Sequence, residues 1–187
     1  MVSQGDSSSP VFLRLYRQKL TDLCVLGFPW LHSPSDPRMP QGLSYHLAEI
    51  WLQELDKASA DSTTVVPLKL ALDPFLSLAA RTPNKVTYQK VQTNLIDPLL
   101  SALSPPPESD EPPKPKRPKT NHAEDAFPHL LANSCLSPSD EPLDKSQLRK
   151  GVLEYVFEVA SQEDSKDSNR RRMYAICKAN IDEDDDS

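Results

Sequence analysis

QGLSYHLAEIWLQELDKA, residues 41–58, is the stretch whose reading decides the fold. Its apolar residues Leu43, Leu47, Ile50, Trp51 and Leu55 recur at steps of three and four, while Glu49, Gln53, Glu54 and Asp56 fall elsewhere on the wheel. That is the period of an amphipathic α-helix with one face to bury. After a polar break at 59–64, Pro67 is placed to open a second helix with Leu68, Leu72, Phe75, Leu76 and Ala79 on one side. Pro74 lies inside it, and because proline lacks a donor and clashes one turn back, a kink or a fresh helix capped by Asp73 is expected there. Thr82, Pro83 and Asn84 then make a turn or cap, and Tyr88, Val91, Leu95 and Leu99 line a third helix to about Leu103, with Pro98 as its weak point.

Three amphipathic helices in a row cannot each bury a stripe alone. The expected fold is all-α, with the helices stacked antiparallel in a HEAT- or armadillo-like array, although no exact repeat supports a regular solenoid. Residues 104–145, with PPPESDEPPKPKRPK and SPSDEP, are rich in proline, serine and charge and read as a disordered linker. Helical period returns at Ser146, the expected cap, with Leu148, Val152, Tyr155, Val156 and Val159, followed by a short helix from about Asn169 to Ala179. The expected organisation is therefore an ill-defined segment with room for one helix over 1–40, a helical piece over 41–103, the linker, a helical pair over 146–180 and an acidic tail over 181–187.

Composition agrees with a small core carrying long arms: of 187 residues 19 are proline, only four are glycine, and the mean hydropathy is −0.53. The net charge of −6 is uneven, balanced over 1–103 and negative beyond, so a uniformly basic nucleic-acid-coating surface is not expected. Cys24, Cys135 and Cys177 are far apart and never in metal-ligand or paired spacing. They suggest neither a disulfide framework nor a zinc site, and no apolar run reaches membrane-spanning length. His32, His46, His122 and His129 are scattered, with no nucleophile elbow, metalloprotease helix or phosphate loop. Neither an enzyme nor a cofactor is expected, because a catalytic site needs convergent groups.

Two basic clusters carry the functional candidates. Lys114, Lys116, Arg117 and Lys119 place four cations in six residues of the linker, a form that an importin groove grips as extended chain. Arg170, Arg171 and Arg172 stand at the start of the last helix, where they could meet RNA phosphates or an acidic partner; the bland reading is a solvated face paired with Glu163, Asp164 and Asp167. Three cations at a helix N-terminus oppose the macrodipole, which hints at an external anion. The SDEP steps at 109–112 and 139–142 suit acid-directed kinases, and modification would deepen the local negative charge.

The residues also carry a likeness. MPQGLSYHLAEIWLQELDKA (39–58), then VPLKLALDPFLSLAARTPNKVTYQKVQ (66–92), and later LRKGVLEYVFEVASQEDSKDSNRRRMYAICK (148–178) resemble, in order and spacing, the helical domain of the ribosomal RNA processing protein 1 family. The shared steps are the glycine-led helix at 42–55, the Pro-Phe step at Pro74, the Thr-Pro-Asn-Lys turn at Thr82 and the Asp-Ser-Asn-Arg-Arg step at Asp167. Nothing in 1–40 looks like the family's tryptophan-rich opening helices, so the resemblance implies an N-terminally truncated member. It further implies a nucleolar, non-catalytic assembly factor in ribosomal RNA processing, favouring large-subunit maturation. Its partners would be pre-ribosomal particle proteins, pre-ribosomal RNA if contacted at all, and importin, with no membrane. A rival of another class is a generic nuclear HEAT-like adaptor with partners unrelated to ribosomes; a third is a direct RNA-binding protein.

Overall fold

The computed structural model describes residues 41–60, 65–104, 126–138 and 140–181, and the notional helix of 1–40, the basic cluster at 114–119 and most of the acidic tail lie outside them. The described chain is all-helical apart from one two-residue bridge. In order it forms α1 (Gln41–Ala60), β1 (Val66–Pro67), α2 (Leu68–Arg81), α3 (Lys85–Val91), a π-helical turn (Gln92–Ile96), α4 (Asp97–Leu103), α5 (Pro128–Ala132), β2 (Ser134–Cys135), α6 (Lys145–Ala160) and α7 (Asp167–Ile181).

Helix α2 is the centre of the molecule. Ten of its residues are buried, from Leu68 through Ala80, and a helix apolar nearly all round must be enclosed by neighbours. Those neighbours are α3, α6 and α7, while α1 lies chiefly against α3, the π turn and α5. Helices α1 and α2 meet through Trp51, whose ring lies 5.3 Å from that of Phe75 and whose indole N–H donates to the Ala71 carbonyl at 3.0 Å. The regular stacking of neighbours in chain order is thus not what the packing shows; both sequence blocks feed one core.

Local differences from the expected elements have physical causes. The buried stripe of α1 is Ala48, Trp51, Leu52 and Leu55, with Ile50 only half-buried, because α1 is flanked on two sides. Pro74 neither ends α2 nor starts a helix capped by Asp73. The Asp73 carboxylate instead accepts from the Tyr155 hydroxyl of α6 at 2.7 Å, tying the two helices. The break expected at Pro98 moves upstream: the ring cannot follow an ordinary α-turn, and the backbone widens to π over Gln92–Ile96, with Pro98 then in the first turn of α4. Asp144, not Ser146, caps α6 through its side chain to the Gln147 N–H at 2.9 Å.

The main correction concerns the linker. Nearly its whole second half is structured: Leu130, Leu131 and Cys135 are buried, and α5 packs on α1. The Asp56 carboxylate of α1 accepts from the Leu130 N–H at 2.8 Å, while β2 pairs in parallel with β1, Val66 opposite Ser134 and Pro67 opposite Cys135. A run as short as FPHLLANSC shows no sustained period, so its order comes from partners 70 or so residues away and escapes a local reading. Phe127 enters α5 at φ 59° and ψ 49°, a left-handed conformation that bulky side chains resist and that its packing on the core must offset.

Gly151 occupies the middle of α6, where glycine costs about 1 kcal/mol relative to alanine. A Cβ there would come within 2.8 Å of Leu136 Cγ and closer still to its methyl carbons, so the glycine makes room for the segment after β2. Gly151→Ala is expected to destabilise the protein by about 1–2 kcal/mol despite its better helix propensity. Leu136→Ala in the same chain should recover most of that loss in urea unfolding.

Candidate functional site

The Thr-Pro-Asn-Lys turn after α2 and the Asp-Ser-Asn-Arg-Arg step opening α7 lie against each other. In the first, Thr82 Oγ1 accepts from the Asn84 N–H at 3.2 Å and the Asn84 side chain caps α3 at the Val86 N–H, 2.8 Å. In the second, Asn169 is buried and its amide donates to the carbonyls of Ala79 at 2.8 Å, Ala80 at 3.3 Å and Thr82 at 2.8 Å. Helix α2 ends with carbonyls that have no partner within the helix, and Asn169 supplies them with donors. The Lys166 backbone N–H adds a bond to Ala80 O at 2.9 Å, and its ammonium donates to Pro83 O at 3.3 Å. Arg81, from the end of α2, reaches back to Gln162 Oε1 at 3.2 Å and pairs with Asp164 at 2.6 Å.

The three arginines separate at this junction instead of forming one cluster. Arg170 turns inward: Nε donates to Ala160 O at 3.0 Å, and Nη2 to Gln162 O at 3.0 Å and Ser165 O at 3.2 Å, so it closes the C-terminal end of α6. Its pairing with Asp167 at 3.2 Å is exposed on the acid's side and adds little. Arg172 lies over the Tyr88 ring, 5.2 Å from its centroid, joining α7 to α3. Arg171 is exposed. The sequence order of three like residues gave no sign of this division of labour, but the asparagine directly before the run, in a helix's first turn, is the kind of residue that binds backbone.

Tyr88 is 1 % exposed and its hydroxyl has no hydrogen-bond partner among the described residues. Burial pushes its pKa up to about 12, with Arg172 pulling the other way and Asp97 and Cys177 adding to the rise. The folded state therefore holds the Tyr88 proton more tightly than the unfolded chain does. The stability tied to that proton is complete below pH 10, the ordinary tyrosine value, and is lost as pH rises toward 12. Tyr88→Phe removes an unsatisfied polar atom and keeps the ring under Arg172, so it should hold or raise the unfolding temperature at neutral pH. It should also flatten the alkaline fall in stability above pH 10.

His46 and His129 are exposed on separate helices, and the buried Cys177 thiol, raised in pKa by desolvation, donates to Leu153 O at 3.5 Å. Among the described residues no three His, Cys, Asp or Glu side chains gather as a metal site, and no helix is long and apolar enough to cross a membrane.

Compared with known proteins, residues 14–177 match the family model described as "Nucleolar protein, Nop52". No curated protein and no solved structure matches the chain. The family match begins at residue 14, inside the opening segment whose residues showed no likeness on direct reading, and runs through the linker, so the family extends over more of the chain than its two legible blocks. The resemblance to the ribosomal RNA processing protein 1 family and the nucleolar location it implied are borne out, and the chain belongs to the nucleolar protein Nop52 family, whose work is ribosomal RNA processing.

Proposed function

We propose that this chain is a non-catalytic assembly factor of pre-ribosomal particles. It binds particle proteins through its helical surfaces and meets RNA or an acidic partner through Arg171 and the neighbouring Arg172. The family match over 14–177 carries the reading. A second support is that the polar groups gathered at the α2–α6–α7 junction, Asn169 and Arg170 foremost, are occupied by backbone carbonyls, a bracing role and not a chemical one. Lys114, Lys116, Arg117 and Lys119 are the import address, read by importin in extended form.

The test is gradient co-sedimentation together with imaging of the tagged full chain. The wild type should enter nucleoli and travel with pre-ribosomal particles, and changing the four cations to alanine should leave it cytoplasmic. A wild type that is nuclear yet never sediments with particles would transfer the lead to the generic adaptor reading.

A further inference from the structure

Helix α6 carries one large apolar side chain that its core stripe does not use. Phe157 is 52 % exposed, yet its ring stacks on Tyr174 of α7, with centroids 4.8 Å apart and planes 26° from parallel. The Tyr174 hydroxyl is hydrogen-bonded to Ser161 Oγ at 3.0 Å, which pins the inner ring. The pair is a preset, two-ring surface with its outer member open to solvent.

The charge beside it is one-sided. From Ser168 to Ile181, α7 has no acidic residue and carries Arg170, Arg171, Arg172 and Lys178. Arg171 and Lys178 are exposed and sit three before and four after Tyr174, so they share its side of the helix, about 10 Å apart along the axis. On α6, Glu154 is exposed three residues before Phe157, on the same side of the helix, and repels anions from that edge. An elongated anion with flat apolar groups on one side fits this layout: its charges along α7, its rings over Phe157. We propose that Phe157 and Tyr174, with Arg171 and Lys178, form a stacking platform for single-stranded RNA. This deepens the assembly-factor reading by naming one partner and the residues that hold it. Unpaired bases are required, because a duplex hides their faces.

The full chain, its acidic run at 182–186 included, would be titrated by fluorescence anisotropy against labelled oligouridine at several salt concentrations. Phe157→Ala should weaken binding about tenfold or more with only a small drop in unfolding temperature, and Phe157→Tyr should restore it. Arg171→Gln with Lys178→Gln should flatten the salt dependence, lowering the slope by about 1.4. Duplex RNA should compete poorly. Wild-type-like binding by Phe157→Ala, or no binding by the wild type, overturns the proposal. So does a Phe157→Ala chain that binds RNA normally but leaves the pre-ribosomal particle, which makes the patch a protein contact and leaves the assembly reading standing. A wild type that fails to sediment with particles strikes the assembly reading itself, whatever the RNA titration gives.

Discussion

Trp51→Ala is expected to remove about 3–5 kcal/mol of folding free energy, much of the total for a domain of this size. The indole is 7 % exposed, fills the contact between α1 and α2 against Phe75, and donates to Ala71 O at 3.0 Å. Alanine leaves a void that two helices, each held by other neighbours, cannot close by moving together. Trp51→Phe keeps most of the bulk and loses the N–H, so it should cost less, about 1–2 kcal/mol. Circular dichroism in urea reads both without relying on tryptophan emission. An alanine variant with the wild-type midpoint would sink the placing of Trp51 at the centre of this contact.

The second large effect distinguishes two adjacent arginines. Arg170→Met should lower stability by about 2 kcal/mol, since three carbonyls at Ala160, Gln162 and Ser165 lose a charged donor while a half-open site lets water replace part of it. Arg171→Met, one residue on, should change stability by less than about 0.5 kcal/mol, as exposed substitutions usually do. Particle association should follow the reverse order once unfolding of the Arg170 variant is corrected for: Arg171→Met lowers it and Arg170→Met does not. If both variants melt together, the capping role of Arg170 fails; if both associate like the wild type, Arg171 is not the contact.

The helices of 41–103 and of 148–178 were legible because burial of one face imposes a period on the residues that form it. The turn Thr82–Pro83–Asn84 was legible for a related reason: its chemistry is local, and Asn84 does cap the helix that follows. What escaped were pairings between distant segments. Leu130 and Ser134 look like linker until Asp56 and Val66 are known to be beside them. The arginine run misled differently. Side chains alike in sequence point in different directions around a helix, and nothing in Arg170 itself says that the end of α6 lies within its reach. Phe157 was passed over because it falls outside the apolar stripe, the very property that leaves it open.

The long-range closure of α1 by α5 has a bearing on synthesis. Translation at about 5–20 residues per second finishes α5 about 4–14 s after α1. Throughout that delay the flank of α1 that will receive Leu130 and Leu131 has no native cover, and Asp56 waits for the backbone amide it will cap. The first helix described is thus sealed well after it is made, and the nascent chain passes through an interval in which a chaperone, or the α5 segment of a neighbouring polysome chain, competes for the same seat.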